Sequence, residues 1–254
     1  MKQKLFPFIC ALFFSANLFA QGLSIYCEDD MPLQFVGANG KLTGFSIEIV
    51  NEIQRRVGNK NDIQLVPWAR GLANLNTEPN SMLFTMARTA ERNQQYQWIG
   101  PIAETTYGFY VKADSPLKIN SLEDAKRVGL IGVYRDDVRD QFLTKQGFVN
   151  LDRANSNVSS FRKLMLNRNV MYVDSIMGVK SLAESAGFKL TDVRVAFNFM
   201  KIQLYIAASK NTDPAIVAKW NMALDDMKRG TIFMTIHKKY LPDVAPPGPA
   251  ITKF

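Results

Sequence analysis

Three arginines stand close together in the first half of the chain, at Arg70, Arg88 and Arg92. A guanidinium keeps its charge at any relevant pH and can hold a carboxylate through two parallel hydrogen bonds. An acid, Asp174, follows a short apolar run in the second half. An acid at the carboxyl end of a strand faces the crevice of an α/β sheet, where ligands bind. These residues indicate the binding of a small charged solute.

Residues suited to catalysis or to metal binding are scarce. His237 is the only histidine, and we expect it on a solvated face because Lys238 and Lys239 follow it. The chain has no cluster of histidines and cysteines that could hold zinc, no phosphate-binding glycine loop and no nucleophile elbow. Asp136 and Asp137 are adjacent at a predicted helix start, which favours capping. We therefore expect neither an enzyme nor a cofactor or metal.

The first twenty residues have the order of a secretory signal. Two lysines precede an apolar run at residues 5–14, and small residues follow up to Ala20. An apolar core of about ten residues is roughly half of what a membrane span needs, which favours cleavage. The mature chain keeps Cys27, so an intramolecular disulfide is impossible and we expect a buried thiol.

The charge pattern argues against nucleic acid as a partner. The chain has a formal charge of +8, and loss of the signal removes two of its lysines and no acid. The remaining basic residues are scattered among acids and form no dense patch. An exported protein of this composition is expected to bind a small molecule.

The elements that must position these residues alternate between strands and helices. Apolar residues recur every four positions over residues 45–57, which predicts a helix that ends at Gly58. A second helix is predicted from Pro214 to Gly230 and a short one across residues 233–240. Such alternation is typical of α/β folds with mostly parallel strands. The predicted strands are residues 23–26, 63–66, 82–84, 107–111, 128–131, 170–173, 193–197 and 204–207.

Five segments resemble, in order, the periplasmic solute-binding proteins of family 3, which serve polar amino-acid uptake. Each motif is weak alone, but together they extend over most of the mature chain. The matching segments are MPLQF at 31–35, GKLTGFSIEIVNE at 40–52, TAER at 89–92, WIGP at 98–101 and GTIFMTIHKKYL at 230–241.

This resemblance implies the type II periplasmic binding fold, an α/β architecture with two lobes joined by two crossing strands. Each lobe is expected to be a mostly parallel sheet flanked by helices. Residues 21–110 and 199–254 would form the first lobe and residues 111–198 the second, after a signal at residues 1–20. Hinge closure of such lobes sequesters a solute. We expect a monomer in the periplasm that delivers its solute to an inner-membrane ABC permease.

The resemblance also assigns residues of the first lobe. Arg92 stands where the family's arginine pairs with the ligand carboxylate, and the alternative is a surface arginine paired with an acid such as Glu91. Thr89 would donate its hydroxyl in the same loop or cap the turn. Trp68 and Arg70 are similar to a version of the fold in which both lie near the cleft. One or both of Arg70 and Arg88 could instead face solvent.

In the second lobe, Asp174 stands where relatives hold the ligand ammonium group. Ser175 is the alternative occupant, and Asp174 could instead cap the following helix. Arg135 follows the strand predicted at residues 128–131, and a basic side chain there favours an acidic solute. Asp30 stands where relatives often use an aromatic ring, so the usual amino-acid specificity is in doubt.

Two other functions are compatible with the same fold. The protein could be a sensory or orphan module that reports its solute to another protein, and neighbouring permease genes would argue against that. It could also be a periplasmic enzyme, such as a dehydratase acting on a carboxylated ring. That activity would need an acid or base placed in the cleft.

Overall fold

A computed structural model describes residues 22–251, so the predicted signal segment lies outside the described residues. Eight strands form one sheet in the order β4-β1-β5-β10-β6-β9-β7-β8, and two short strands form a hairpin before the first helix. The strands are β1 (Ser24–Cys27), β2 (Phe35–Val36), β3 (Leu42–Thr43), β4 (Ile63–Leu65), β5 (Ser81–Ala87), β6 (Gln97–Lys112), β7 (Ile131–Tyr134), β8 (Leu151–Ala154), β9 (Met171–Ser175) and β10 (Val193–Ala208).

The helices cover the faces of the sheet. None among the described residues is long and apolar enough to cross a membrane. The helices are α1 (Phe45–Val57), α2 (Trp68–Thr77), α3 (Ala90–Asn93), α4 (Leu122–Lys126), α5 (Val138–Lys145), α6 (Asn157–Met165), α7 (Val179–Ala186), α8 (Pro214–Arg229) and α9 (Ile232–Tyr240), with a 3-10 turn at Leu190–Asp192.

The sheet has two parallel parts joined by two long strands. In the first part β1 lies parallel to both β4 and β5, and in the second β7 lies parallel to both β8 and β9. Between them β6 and β10, sixteen residues each, run antiparallel to one another and to their outer neighbours. The predicted two-lobed α/β fold is confirmed. We propose that the lobe limits, residues 110/111 and 198/199, fall within these two strands.

Helix α1 follows from the sequence alone. Its predicted and observed bounds are the same, and Gly58 ends it in the left-handed conformation with φ 74°. Gly44, just before the helix, has φ 125°, and a β-carbon there would lie 2.5 Å from the carbonyl oxygen of Leu33. Only glycine fits that position, which fixes how the hairpin and the loop before it meet the helix.

Two local predictions are wrong. His237 was expected on a solvated face, but it is only 3% exposed and packs edge-on against Phe45 at 5.8 Å. The neighbouring lysines are exposed, because α9 buries the face that carries Phe233 and His237. The strand predicted at residues 128–131 begins instead at Ile131. The carbonyl oxygens of Val128 and Gly129 accept hydrogen bonds from the side-chain amide of Asn150 rather than from a neighbouring strand.

Candidate functional site

Two adjoining cavities lie in the cleft between the lobes. The larger, here called the outer chamber, has a volume of about 520 Å³, and the smaller, the inner chamber, has about 50 Å³. Both are lined by Glu28 and Asp30 from the loop after β1 and by Asn157 and Asp174 from the second lobe. The two chambers therefore share a wall, and residues of both lobes build it.

The acids reach this site because they follow parallel strands. Glu28 and Asp30 come directly after β1, and Asp174 lies near the carboxyl end of β9, where an α/β sheet opens into its crevice. A β-carbon at Gly178 would lie 3.4 Å from Oδ1 of Asp174 and 3.9 Å from Oδ1 of Asp30. Carboxylates of the two lobes thus face the same point.

Arg92 lies in the wall of the inner chamber and is only 5% exposed. Its Nη1 donates to the carbonyl oxygen of Ala87 at 3.4 Å and its Nη2 to Oε1 of Gln141, in the opposite lobe, at 3.2 Å. The guanidinium also lies over the ring of Trp68 at 5.5 Å. Within the described part of the chain Arg92 forms no salt bridge, and a guanidinium has five N–H donors. Donors therefore remain for a ligand.

Arg139 is a second buried guanidinium, in the first turn of α5. Its Nε donates to Asp137, and its Nη1 donates to Oδ1 of Asp174 at 3.4 Å. The planar group lies 5.5 Å from the ring centre of Tyr107 and 5.9 Å from that of Tyr134. Asp174 therefore already has a positively charged neighbour.

The carboxyl groups of the cleft hold their protons more strongly than usual. Burial raises the pKa of Asp174 to about 7 and that of Asp30 to about 6, although Arg139 acts to lower both. Burial, reinforced by the charge of Asp30, also raises the pKa of Glu28 well above its ordinary value. Burial is the largest cause for all three acids, and the charge of Arg139 offsets it only in part.

The raised pKa of Asp174 predicts a pH effect on stability in the absence of ligand. Asp174 has a pKa of about 7 in the folded protein and an ordinary value of 3.8, so between these values the folded state binds more protons than the unfolded state. Stability must then fall as pH rises through that window. From about pH 5 to about pH 8 we expect the unfolding midpoint of the wild type to fall relative to that of Asp174→Asn. A constant difference between the two proteins would contradict the prediction.

The structure brings four of the predicted site residues together. Asp30 and Asp174 line both chambers, and Trp68 and Arg92 line the inner one. Thr89 takes the capping role, because its hydroxyl oxygen accepts a hydrogen bond from the backbone N–H of Arg92 at 3.3 Å. Thr89 thus shapes the turn that carries Arg92.

The other three predicted arginines line neither chamber. Arg70 is exposed on α2. Arg88 donates to Asn93 at 2.9 Å and lies over the rings of Trp98 and Tyr205. Arg135 is exposed, and its Nε donates to Asn155 at 3.0 Å. None of the three side chains therefore lines the cleft, and for Arg70 and Arg88 these positions favour the alternative that they face away from the solute.

The sequence matches the family model of bacterial extracellular solute-binding proteins, family 3, over residues 23–243. The chain belongs to this family. It is 24% identical over 261 residues to the probable amino-acid-binding protein YxeM of Bacillus subtilis (strain 168), covering 94% of this chain and 95% of that one.

Solved structures show the same fold at low sequence identity. A histidine kinase sensor domain with similarity to periplasmic binding proteins has a TM-score of 0.80 at 19% identity, covering 89% of this chain and 99% of that one. An ancestral arginine-binding protein bound to arginine has a TM-score of 0.76 at 22% identity, covering 87% and 99%.

Three residues of this family 3 site were not predicted from the sequence. They differ in whether the sequence contains a signal that could have indicated them. Glu28 follows β1 directly, so the rule that singled out Asp174 also applied to it. Asp137 was expected to cap a helix and does, accepting from the backbone N–H groups of Arg139 and Asp140, but it also lines the inner chamber. Arg139 had no signal, because arginines in a first helical turn are usually exposed.

Proposed function

We propose that this family 3 protein binds a small amino-acid-like solute in the cleft between its lobes. Arg92 holds the carboxylate of the solute, and the acids on the other side of the site, Asp30 and Asp174, hold its ammonium group. The observation that carries this proposal is the buried Arg92 guanidinium, which has open donors and faces a chamber lined by carboxylates of both lobes. A solute that carries both a carboxylate and an ammonium group would pair with Arg92 on one side of the site and with the acids on the other.

The role of the bound solute is the second part of the proposal. The similarity of the whole chain to a protein named as amino-acid-binding supports binding without catalysis. We propose that the protein works as a periplasmic monomer and delivers its solute to an inner-membrane ABC permease. The sensory and enzymatic alternatives stay predictions. Uptake of labelled solute by cells that lack the gene separates them, because only a transport role requires uptake to fall.

Thermal unfolding of the mature protein with a panel of amino acids tests the binding. A ligand at a hundred times its dissociation constant adds about 2.7 kcal/mol to the free energy of unfolding. For a chain of this size that corresponds to a rise of roughly 5–10 °C in the unfolding midpoint. A panel of all common amino acids that leaves the midpoint unchanged would contradict the proposal.

A further inference from the structure

We propose that the outer chamber selects a positively charged side chain, so that the solute is a basic amino acid. This inference rests on the proposed function and names the class of its ligand. It follows from the charge of the chamber, from its shape and from an unused hydrogen-bond donor beside Arg92.

The outer chamber is lined by four acidic side chains and by no basic one, and among the described residues only Asp174 of these acids forms an ion pair, with Arg139 of the inner chamber. Both buried arginines line the inner chamber instead, where they face Asp137 as well as the shared acids. Burial and mutual repulsion disfavour the charged forms of acids gathered in such a cleft, and a positive group of the ligand placed among them stabilises those charged forms. The four acids of the outer chamber are Glu28, Asp29, Asp30 and Asp174.

The shape of the two chambers separates the ends of such a ligand. The inner chamber, about 50 Å³, offers Arg92 to a carboxylate. The outer chamber, about 520 Å³, has room for a long side chain. Leu65, Val66, Ser181 and Ser185 also line it. The methylene groups of the ligand can pack on Leu65 and Val66. A cationic head with several N–H donors finds acceptors among the serine hydroxyl groups and the acids.

An unused donor supports a carboxylate in the inner chamber. Trp68 is only 6% exposed, and its indole Nε1 has no hydrogen-bond partner among the described residues. A buried polar group without a partner is costly, and a carboxylate oxygen of the ligand would satisfy it. With the carboxylate held there, the far end of the ligand extends toward the acids of the outer chamber.

An acidic solute is not favoured by this arrangement. The expectation of such a solute depended on Arg135, which lies outside both chambers, as do Arg70 and Arg88. A second carboxylate in the outer chamber would meet acids from both lobes. It would therefore weaken the contact between the lobes rather than strengthen it.

Calorimetric titration of the mature protein with lysine, arginine, norleucine and glutamate tests the inference. Norleucine has the same carbon chain as lysine without its terminal ammonium group. We expect lysine or arginine to bind at least about tenfold more tightly than norleucine, because the methyl end of norleucine makes none of the charge-assisted hydrogen bonds that an ammonium or guanidinium group makes with carboxylates. The variant Asp29→Asn should weaken binding of the basic amino acid and leave norleucine unchanged. Glu123→Gln, an exposed acid paired with Lys126 outside the cleft, is the matched control.

The outcomes separate the inference from the proposed function. If norleucine or glutamate binds as tightly as lysine and arginine, and binding still depends on Arg92, the ligand class is wrong and the binding function stands. If no amino acid binds in a way that depends on Arg92, both the ligand class and the proposed binding function are wrong. A preference for lysine or arginine that Asp29→Asn reduces and Glu123→Gln does not supports the inference.

Discussion

Replacing Arg92 by alanine is expected to weaken solute binding by roughly 30-fold to several thousand-fold. Removal of one partner from a buried, hydrogen-bonded charge pair costs about 2–5 kcal/mol. Arg92 is the buried guanidinium with open donors at the inner chamber, so its removal would leave the ligand carboxylate among acids without the guanidinium that holds it. Isothermal titration of the wild type and the variant with the same solute measures the effect.

Two further variants make this result specific. Arg70→Ala removes the same side chain from an exposed position outside both chambers, and we expect its affinity to equal that of the wild type. Arg92→Lys keeps the charge but loses the planar fork, so we expect an affinity between those of the wild type and Arg92→Ala. Circular dichroism confirms that each variant is folded. Equal affinities for Arg92→Ala and Arg70→Ala would show that Arg92 does not hold the solute.

The largest expected effect on stability is that of Arg139→Ala. The side chain is 7% exposed and forms ion pairs with both Asp137 and Asp174, which are themselves buried. Its removal leaves these charges without a partner, and breaking a buried pair in this way costs about 3–5 kcal/mol. Chemical denaturation of the unliganded proteins measures the difference in the free energy of unfolding.

The exposed Arg135, four residues earlier, is the matched control. Arg135→Ala should change the free energy of unfolding by no more than about 0.5 kcal/mol, as surface substitutions usually do. Adding Asp137→Asn to Arg139→Ala should recover part of the loss, because one of the unpaired charges is removed. If Arg139→Ala loses no more stability than Arg135→Ala, the buried ion pairs do not support the second lobe.

The repeating patterns of the chain predicted its fold well. Helix α1 has the predicted bounds, and α8 starts where Asp213 and Pro214 predicted, with the Asp213 side chain accepting from the N–H of Ala215. Cys27 is buried as expected, and burial raises the pKa of its thiol to about 12. The bounds and caps of these helices depend on residues within one or two helical turns, so the sequence alone predicts them. Strands predicted at 193–197 and 204–207 proved to be one strand, since pairing with β6 extends through the mixed polar and apolar residues between them.

The candidate site was predicted only in part. The resemblance to family 3 singled out Arg92 and Asp174, and the structure places both at the inner chamber. Arg70, Arg88 and Arg135 are arginines like Arg92, but they lie outside both chambers. A guanidinium at the end of a long side chain can turn to solvent or to the cleft, and which of these occurs depends on tertiary packing that no local sequence pattern records.

The sequence by itself determined the family, the α/β architecture and the presence of acids after β1 and β9, because these follow from residue order and periodicity. Only the tertiary structure decided the charge of the cleft. Asp30 and Asp174 are far apart along the chain, yet both lie near Gly178 once the lobes meet. Arg139 turns inward because two buried carboxylates and two aromatic rings hold it there. Electrostatic balance depends on distances between lobes, and those distances exist only in the folded protein.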